Sequence, residues 1–218
     1  MQVTNNFKHN DLEPARSGWF DCSCCPTNLT RLLPSIPGYM YATTNQQFFI
    51  NLFINSKSSV VINHSKVNIE QQNNYPWEGN LTFKVNPNQT SLPFTINIRI
   101  PGWAKGVAIP SDLYHFNNHT SHKINISING KLTAYSVVNG YAVFNRRWKH
   151  GDVITMQLPM DVQTIQSNPN LIDNIGKIAL QKGPLLYCAE SADNSGSISS
   201  FVLQKNCTFS SRFDSNLL

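Results

Sequence analysis

From about residue 46 onward, hydrophobic residues recur at every second position over much of the chain. The clearest case is the segment 94–100, in which Phe94, Ile96, Ile98 and Ile100 alternate with polar or small residues. Segments 48–54, 81–85 and 124–128 repeat the pattern. A period of two predicts β-strands with one face in a core and the other in water.

Turn residues separate these segments at short intervals. Asn129-Gly130 follows one predicted strand, and Asn139-Gly140 precedes another at 141–144. Both dipeptides favour tight hairpins, because their residues tolerate positive φ. Gly151-Asp152 then opens a strand at 153–158. Short strands with frequent turns predict a mainly β fold, an antiparallel, jelly-roll-like β-sandwich over residues 43–160.

The first forty residues have a different pattern. Pro26 suits the first position of a helix, and a stripe of leucines follows it (Leu29, Leu32 and Leu33). Pro34 and the segment 35–38 are expected to end this helix. A single short helix cannot bury such a stripe alone. We therefore expect residues 1–42 to be a helical remnant of a larger domain.

The region after Met160 changes character again. Residues 161–174 are polar and predict a loop, whereas 177–180 and 185–190 predict two strands around the Gly183-Pro184 turn. The last thirty residues are rich in Ser and Asn and show no closing strand. Residues 161–218 are therefore expected to form part of a second β-rich domain.

Composition narrows the class of protein. The 218 residues are 40% hydrophobic and 13% charged, which favours one or two folded domains over disorder. No apolar run is long enough to cross a bilayer, and the polar N-terminus lacks a signal peptide pattern. The 17 Lys+Arg exceed the 12 Asp+Glu but are scattered, so neither a membrane nor a nucleic-acid partner is expected.

Asparagine is frequent, with 27 residues, and seven N-glycosylation sequons are present. They begin at Asn28, Asn63, Asn80, Asn88, Asn118, Asn125 and Asn206. Chance alone gives about four, so the excess is modest. A secreted glycoprotein and an Asn-rich genome both remain open, and the compartment stays unknown.

Three of the five cysteines lie within four positions, at Cys22, Cys24 and Cys25. An odd number with this spacing does not predict a disulfide framework. The start of a helix stabilises a thiolate, which is both the better nucleophile and the better zinc ligand. A structural zinc site, a disulfide with a free thiol, and plain burial remain alternatives. Cys188 and Cys207 are poor candidates to complete a zinc site.

Several stretches together resemble glycoside hydrolase family 127, whose type activity is β-L-arabinofuranosidase. The resemblance runs in order from about Trp19 to about Asn194. Its motifs are WFDCSCCPTNLTRLLPSIPGYMYA, YPWEGNLTFKV, IRIPGWA, NGYAVFNRRWKHGDVITMQLPM and GKIALQKGPLLYCAE.

This resemblance implies a retaining glycosidase with an (α/α)6 catalytic barrel followed by β-sandwich domains. It also implies zinc held by one glutamate and three cysteines, a cysteine nucleophile, a separate glutamate as acid/base, and an L-arabinofuranose-containing glycan as substrate. On this chain Cys24 would be the nucleophile and a zinc ligand, and Cys25 a zinc ligand. Cys22 receives no role.

The chain departs from the family pattern upstream of the cysteine pair. Glu13 is the sole glutamate before Cys24, and its spacing does not suit the family's ligand or acid/base. We therefore expect a C-terminal portion that is inactive alone and does not retain zinc. The alternatives are a stand-alone sandwich module that binds glycans or mediates domain contacts, and a truncated product without its own function.

Other residues with possible chemistry favour structural explanations. Trp77, Trp103 and Trp148 could stack on sugars, but each adjoins a turn-like segment, which favours packing over the sandwich. Arg146-Arg147 could bind an acidic sugar, but an exposed strand end is expected. The histidines in polar loops lack ligand spacing and predict a solvated surface. They are His64, His115, His119, His122 and His150.

Overall fold

The computed structural model describes residues 23–117, 123–190, 194, 198, 201–204 and 207–212. The chain separates into two compact units. One comprises residues 35–186, and the other comprises residues before 35 together with those after 186. Within the described ranges, no helix has the length and apolar character needed to cross a membrane. The expected domain boundaries at residues 42 and 160 stay predictions.

The described residues form two α-helices and fifteen β-strands. The helices are α1 (Cys24–Ser35) and α2 (Pro37–Met40). The strands are β1 (Tyr41–Thr43), β2 (Gln47–Ile50), β3 (Ser56–Ile62), β4 (Ser65–Asn73), β5 (Asn80–Pro87), β6 (Leu92–Arg99), β7 (Tyr114–Phe116), β8 (Asn125–Ile128), β9 (Lys131–Leu132), β10 (Ser136–Val138), β11 (Tyr141–Trp148), β12 (Asp152–Gln157), β13 (Val162–Ser167), β14 (Ala179–Lys182) and β15 (Leu185–Tyr187). Two 3₁₀ turns cover Trp103–Lys105 and Ile172–Asn174.

The strands make three sheets. The first has the order β1-β2-β6-β11-β10, the second β3-β4-β5-β12-β8-β9, and the third β15-β14-β13-β7. Neighbours in the first two sheets run antiparallel, except that β2 pairs with β6 in parallel. The mainly β, antiparallel fold predicted from the sequence is confirmed. The order of the strands does not establish the expected jelly-roll connectivity.

The first and second sheets share one hydrophobic core. The alternating residues of β6 in the first sheet and of β5 and β12 in the second all contribute to it, as the period of two predicts. Trp148, at the end of β11, is fully buried, and its indole N–H donates to the carbonyl of Phe94 at 3.0 Å. The core therefore closes between two sheets of the same chain.

Both predicted Asn-Gly hairpins are confirmed. Asn129 and Gly130 have φ values of 51° and 77°, and Asn139 and Gly140 have 50° and 83°. The Asn129 side chain also ties its turn to the neighbouring strand. It donates to the Asp152 carboxylate at 2.8 Å and accepts from the Val153 N–H at 2.9 Å.

The strand predicted over 48–54 is wrong in its second half, because β2 ends at Ile50. The N–H groups of Asn51 and Leu52 both donate to the carbonyl of Met40, at 2.9 and 3.4 Å, and so leave the ladder. Phe53 is buried whereas Ile54 is 41% exposed, so the predicted common face of alternate residues breaks down here.

Two other expectations differ from the structure. The predicted loop 161–174 contains β13, whose inward positions Gln163 and Ile165 are buried. The two strands expected at 177–180 and 185–190 exist as β14 and the short β15, offset by a few residues.

Helix α1 begins two residues before Pro26 and continues through Pro34 to Ser35. The expected end of the helix is confirmed, because α1 stops at Ser35; a single turn residue then separates it from the short, unpredicted α2. Pro34 has no N–H to donate to the carbonyl four residues earlier, so α1 loses one backbone hydrogen bond in its last turn.

Candidate functional site

Cys24 and Cys25 occupy the first turn of α1, instead of preceding the helix as predicted. Both side chains are exposed, and neither forms a disulfide. Their Sγ atoms lie 3.8 Å apart. The structure therefore presents two adjacent thiols outside any disulfide, side by side at the start of a helix.

Residues around the pair explain why the helix starts there. The N–H of Thr27 donates to the carbonyl of Ser23 at 3.2 Å, which is the first turn's backbone bond. The Thr27 hydroxyl lies 3.0 Å from the carbonyls of both Ser23 and Cys24. Pro26 needs no donor in this turn, since the first N–H groups of a helix have no intrahelical acceptor. The local sequence thus fixes both cysteines on the first turn.

The separation of the two sulfurs bears on whether the pair can hold a metal. Zinc binds thiolates at about 2.3 Å in tetrahedral geometry, which places two ligand sulfurs about 3.8 Å apart. The Sγ–Sγ distance of Cys24 and Cys25 has this value. The pair therefore fits two of the four positions of a tetrahedral zinc site.

Other ligands do not join the pair within the described part of the chain. No group of three or more His, Cys, Asp or Glu side chains there could hold a metal ion. Cys188 and Cys207 are exposed free thiols. Cys22 and Glu13 lie outside the described residues.

The three tryptophans considered for sugar stacking differ in the structure. Trp148 is fully buried, so the packing interpretation is confirmed for it. Trp103 is half-buried and packs against the core. Burial raises the pKa of Tyr75 above its ordinary value, although the neighbouring Trp103 and the charge of Arg99 oppose the shift. Trp77 remains 41% exposed, which packing does not explain.

The predicted surface histidines and arginines behave as expected wherever the structure describes them. His64, His115 and His150 are exposed, while His119 and His122 lie outside the described residues. Arg146 and Arg147 are exposed on β11. The guanidinium of Arg146 lies 5.1 Å from the centre of the Trp148 ring, so it covers that ring rather than marking a separate site.

Sequence reasoning missed an open polar groove at one end of the second sheet. Its volume is about 600 Å³, and its lining includes Trp77, Asn80, Asn125 and Gln157. They come from β8, β12, and β5 with the turn that directly precedes it, three regions that are distant in sequence. Only knowledge of the strand pairing could have brought them together.

Comparison with known proteins gives two family matches. The model described as "Beta-L-arabinofuranosidase, GH127 middle domain" matches residues 47–160. The model described as "Glycoside hydrolase family 127 C-terminal domain" matches residues 162–213. Both cysteines of the pair precede these ranges.

A curated relative, the non-reducing end β-L-arabinofuranosidase of Bifidobacterium longum subsp. longum, is 29% identical over 214 residues. This alignment covers 94% of the chain and 29% of the relative. It omits about 6% of the chain, too few residues to reach position 24, and therefore includes Cys24 and Cys25.

Two solved structures are similar in fold. A GH127 β-arabinofuranosidase is 37% identical with a TM-score of 0.78, over 85% of this chain and 29% of the other. A GH127 β-L-arabinofuranosidase from Geobacillus stearothermophilus T6 is 35% identical with a TM-score of 0.72, over 86% and 27%. The chain thus spans about three tenths of the length of these relatives.

Proposed function

Because this chain belongs to glycoside hydrolase family 127, we propose that it carries the nucleophile of a retaining arabinofuranosidase-type hydrolase, with Cys24 in that role. The observation that carries the proposal is the pair of exposed thiols, neither in a disulfide, 3.8 Å apart on the first turn of α1. The pair lies within a stretch that aligns with a β-L-arabinofuranosidase. The proposed substrate is a glycan that ends in L-arabinofuranose.

Cys24 and Cys25 are proposed as two ligands of a zinc ion in the intact enzyme. When bound, the ion would keep the ligand sulfurs ionised near neutral pH. Cys25 would serve as a ligand only. The remaining ligands would come from outside the described residues, where the family resemblance places a glutamate and a third cysteine.

The reaction would proceed by two displacements at the anomeric carbon. The Cys24 sulfur forms a bond to that carbon while the glycosidic oxygen leaves with a proton from a carboxylic acid. Water then attacks the same carbon, gives its proton to the resulting carboxylate, and returns the sulfur as thiolate. Two inversions give net retention. The resemblance places the acid/base glutamate upstream of the cysteine pair.

We therefore expect the chain alone not to hydrolyse an aryl β-L-arabinofuranoside. The test of the nucleophile uses the Bifidobacterium enzyme with the matching stretch replaced by this chain. Changing Cys24 to Ser should lower turnover by about a thousandfold or more, because loss of a nucleophile removes the covalent route. Changing the exposed Cys188 to Ser is the matched control and should preserve turnover.

Two further measurements separate the proposed role from misfolding. Mass spectrometry of the denatured, substrate-treated chimera should find a glycosyl adduct on the peptide that contains Cys24. NMR of the first released sugar should show the anomer of the substrate. A folded Cys24→Ser chimera that keeps full turnover would overturn the proposal.

A further inference from the structure

Three carboxamides form a row across the second sheet. Gln157 on β12 lies directly opposite Asn80 on β5 and also opposite Asn125 on β8. Residues directly opposite each other on antiparallel strands project from the same face. Their chain neighbours Leu81 and Met156 are buried in the core, so the row lies on the outer face.

The hydrogen-bonding groups of this row are open to a ligand. A carboxamide offers two N–H donors and a carbonyl acceptor. Within the described ranges, no side-chain hydrogen bond involves Asn80, Asn125 or Gln157. The next row of the same face differs, because the hydroxyls of Ser127 and Thr155 bond each other at 2.6 Å. The outermost row therefore keeps its three carboxamides available to a ligand.

An aromatic side chain stands at the edge of the row on a well-fixed turn. Trp77 is 41% exposed and lines the groove with the carboxamides. The N–H groups of Trp77 and Glu78 both donate to the carbonyl of Asn74 at 3.0 Å, and the Asn74 amide donates to Glu78 at 3.1 Å. These bonds fix the backbone position from which the indole projects.

Because Gly79 has no side chain, the end of this turn lies directly against Leu158 and Met160 on the opposite side of the groove. A Cβ at this position would overlap the carbonyl of Leu158 and lie 2.9 Å from Cγ of Met160. The N–H of Leu158 donates to the carbonyl of Gly79 at 2.9 Å. This backbone hydrogen bond joins the Gly79 and Leu158 segments, which both line the groove.

The charges in the groove balance each other. Its lining contains two carboxylates, Glu78 and Asp161, and two ammonium groups, Lys123 and Lys182. A site for phosphate or an acidic sugar would instead need an excess of positive charge. A volume of about 600 Å³ suits a ligand of a few rings.

We propose that this groove binds a neutral oligosaccharide. Trp77 would cover the apolar face of one sugar ring, and the row of Asn80, Gln157 and Asn125 would donate to and accept from its hydroxyls. The site goes beyond the proposed hydrolase function and does not rest on the role of Cys24.

The full chain is made in bacteria, so that the sequons beginning at Asn80 and Asn125 carry no glycan. It is titrated with arabinopentaose, xylopentaose and cellopentaose. Isothermal calorimetry should detect binding of at least one of them, and none of pentagalacturonate. Trp77→Ala and Gln157→Ala should each weaken that binding by about tenfold. Trp77→Phe, which keeps an aromatic ring, should retain most of the affinity that Trp77→Ala loses.

Gln72→Ala is the matched control, since Gln72 is exposed on β4 beside the groove but does not line it. It should leave binding unchanged, and circular dichroism should show every variant folded. Three results would each overturn the proposal. They are no binding of any neutral probe, tighter binding of pentagalacturonate, and binding that survives both Trp77→Ala and Gln157→Ala.

Discussion

The sandwich buries its apolar residues, whereas helix α1 leaves its own exposed. In the sandwich, Phe83 and Ile96 are fully buried between two sheets of the same chain. In α1, the leucine stripe is exposed, with Leu29 at 56%, Leu32 at 51% and Leu33 at 60%. No residue of α1 is buried.

This difference shows what an apolar pattern does and does not predict. Periodicity identifies the face of a strand or helix that prefers burial. Whether that face is covered depends on a partner, which the sandwich supplies from its own strands. The stripe of α1 instead stays more than half exposed. The sandwich therefore owes its stability to its own sequence, whereas α1 needs packing that the pattern alone cannot reveal.

The largest expected effect contrasts the two regions directly. Phe83→Ala should destabilise the chain by about 3–5 kcal/mol, because it leaves a cavity in a core without exposed surface. Leu33→Ala should change the free energy of unfolding by less than about 0.5 kcal/mol. Urea denaturation followed by circular dichroism measures both. Equal losses would show that the leucine stripe is packed in solution.

A second contrast uses two glycines. Gly79→Ala should cost about 1–3 kcal/mol, because the added methyl group meets the backbone at Leu158. Gly38→Ala in α2 is the control, since its Cβ would have nothing within 4 Å. The urea midpoint of Gly38→Ala should match or exceed that of the unmodified chain.

A third prediction sharpens the comparison at the cysteine pair. At millimolar Co²⁺ the chain should show thiolate charge-transfer absorbance that dialysis removes, because two ligands hold a metal weakly. Cys24→Ser or Cys25→Ser should abolish this band. Cys188→Ser should leave it unchanged, and a band that depended on Cys188 instead would contradict the assignment.

The smallest effect is a pH dependence within the sandwich. The pKa of Tyr75 is raised mainly by burial, so the folded state keeps a proton that the unfolded chain releases near pH 10. The contribution of Tyr75 to the free energy of unfolding is therefore fully present below about pH 10. It declines as the pH rises toward the pKa of Tyr75 in the folded state. Urea midpoints from about pH 9 to about pH 11 should fall less for Tyr75→Phe than for Tyr39→Phe, the exposed control.

Much of the sandwich could be predicted because its strands follow simple rules. The alternation in 94–100 gives β6, and both Asn-Gly turns lie where positive φ requires them. The prediction failed where polar residues form strands. The β3–β4 hairpin was missed because Asn63-His64 makes its turn without glycine, and β3 buries only Ile62.

The candidate site could be predicted only in part. The spacing of Cys24 and Cys25 and the nearby Pro26 indicated thiols at a helix start, but their roles came from family resemblance and stay predictions. The carboxamide row could not be predicted from the sequence, because Asn80 and Gln157 are neighbours only through the pairing of β5 with β12.

The parallel pairing of β2 with β6 has a consequence for how the chain can be divided. Between these partners the polypeptide leaves the first sheet, lays down three strands of the second, and returns to place Ile96 beside Phe48. The chain therefore contributes strands to the two sheets alternately, rather than finishing one sheet before it starts the other. A gene split within β3–β5 would leave two halves that each hold strands of both layers and complete neither.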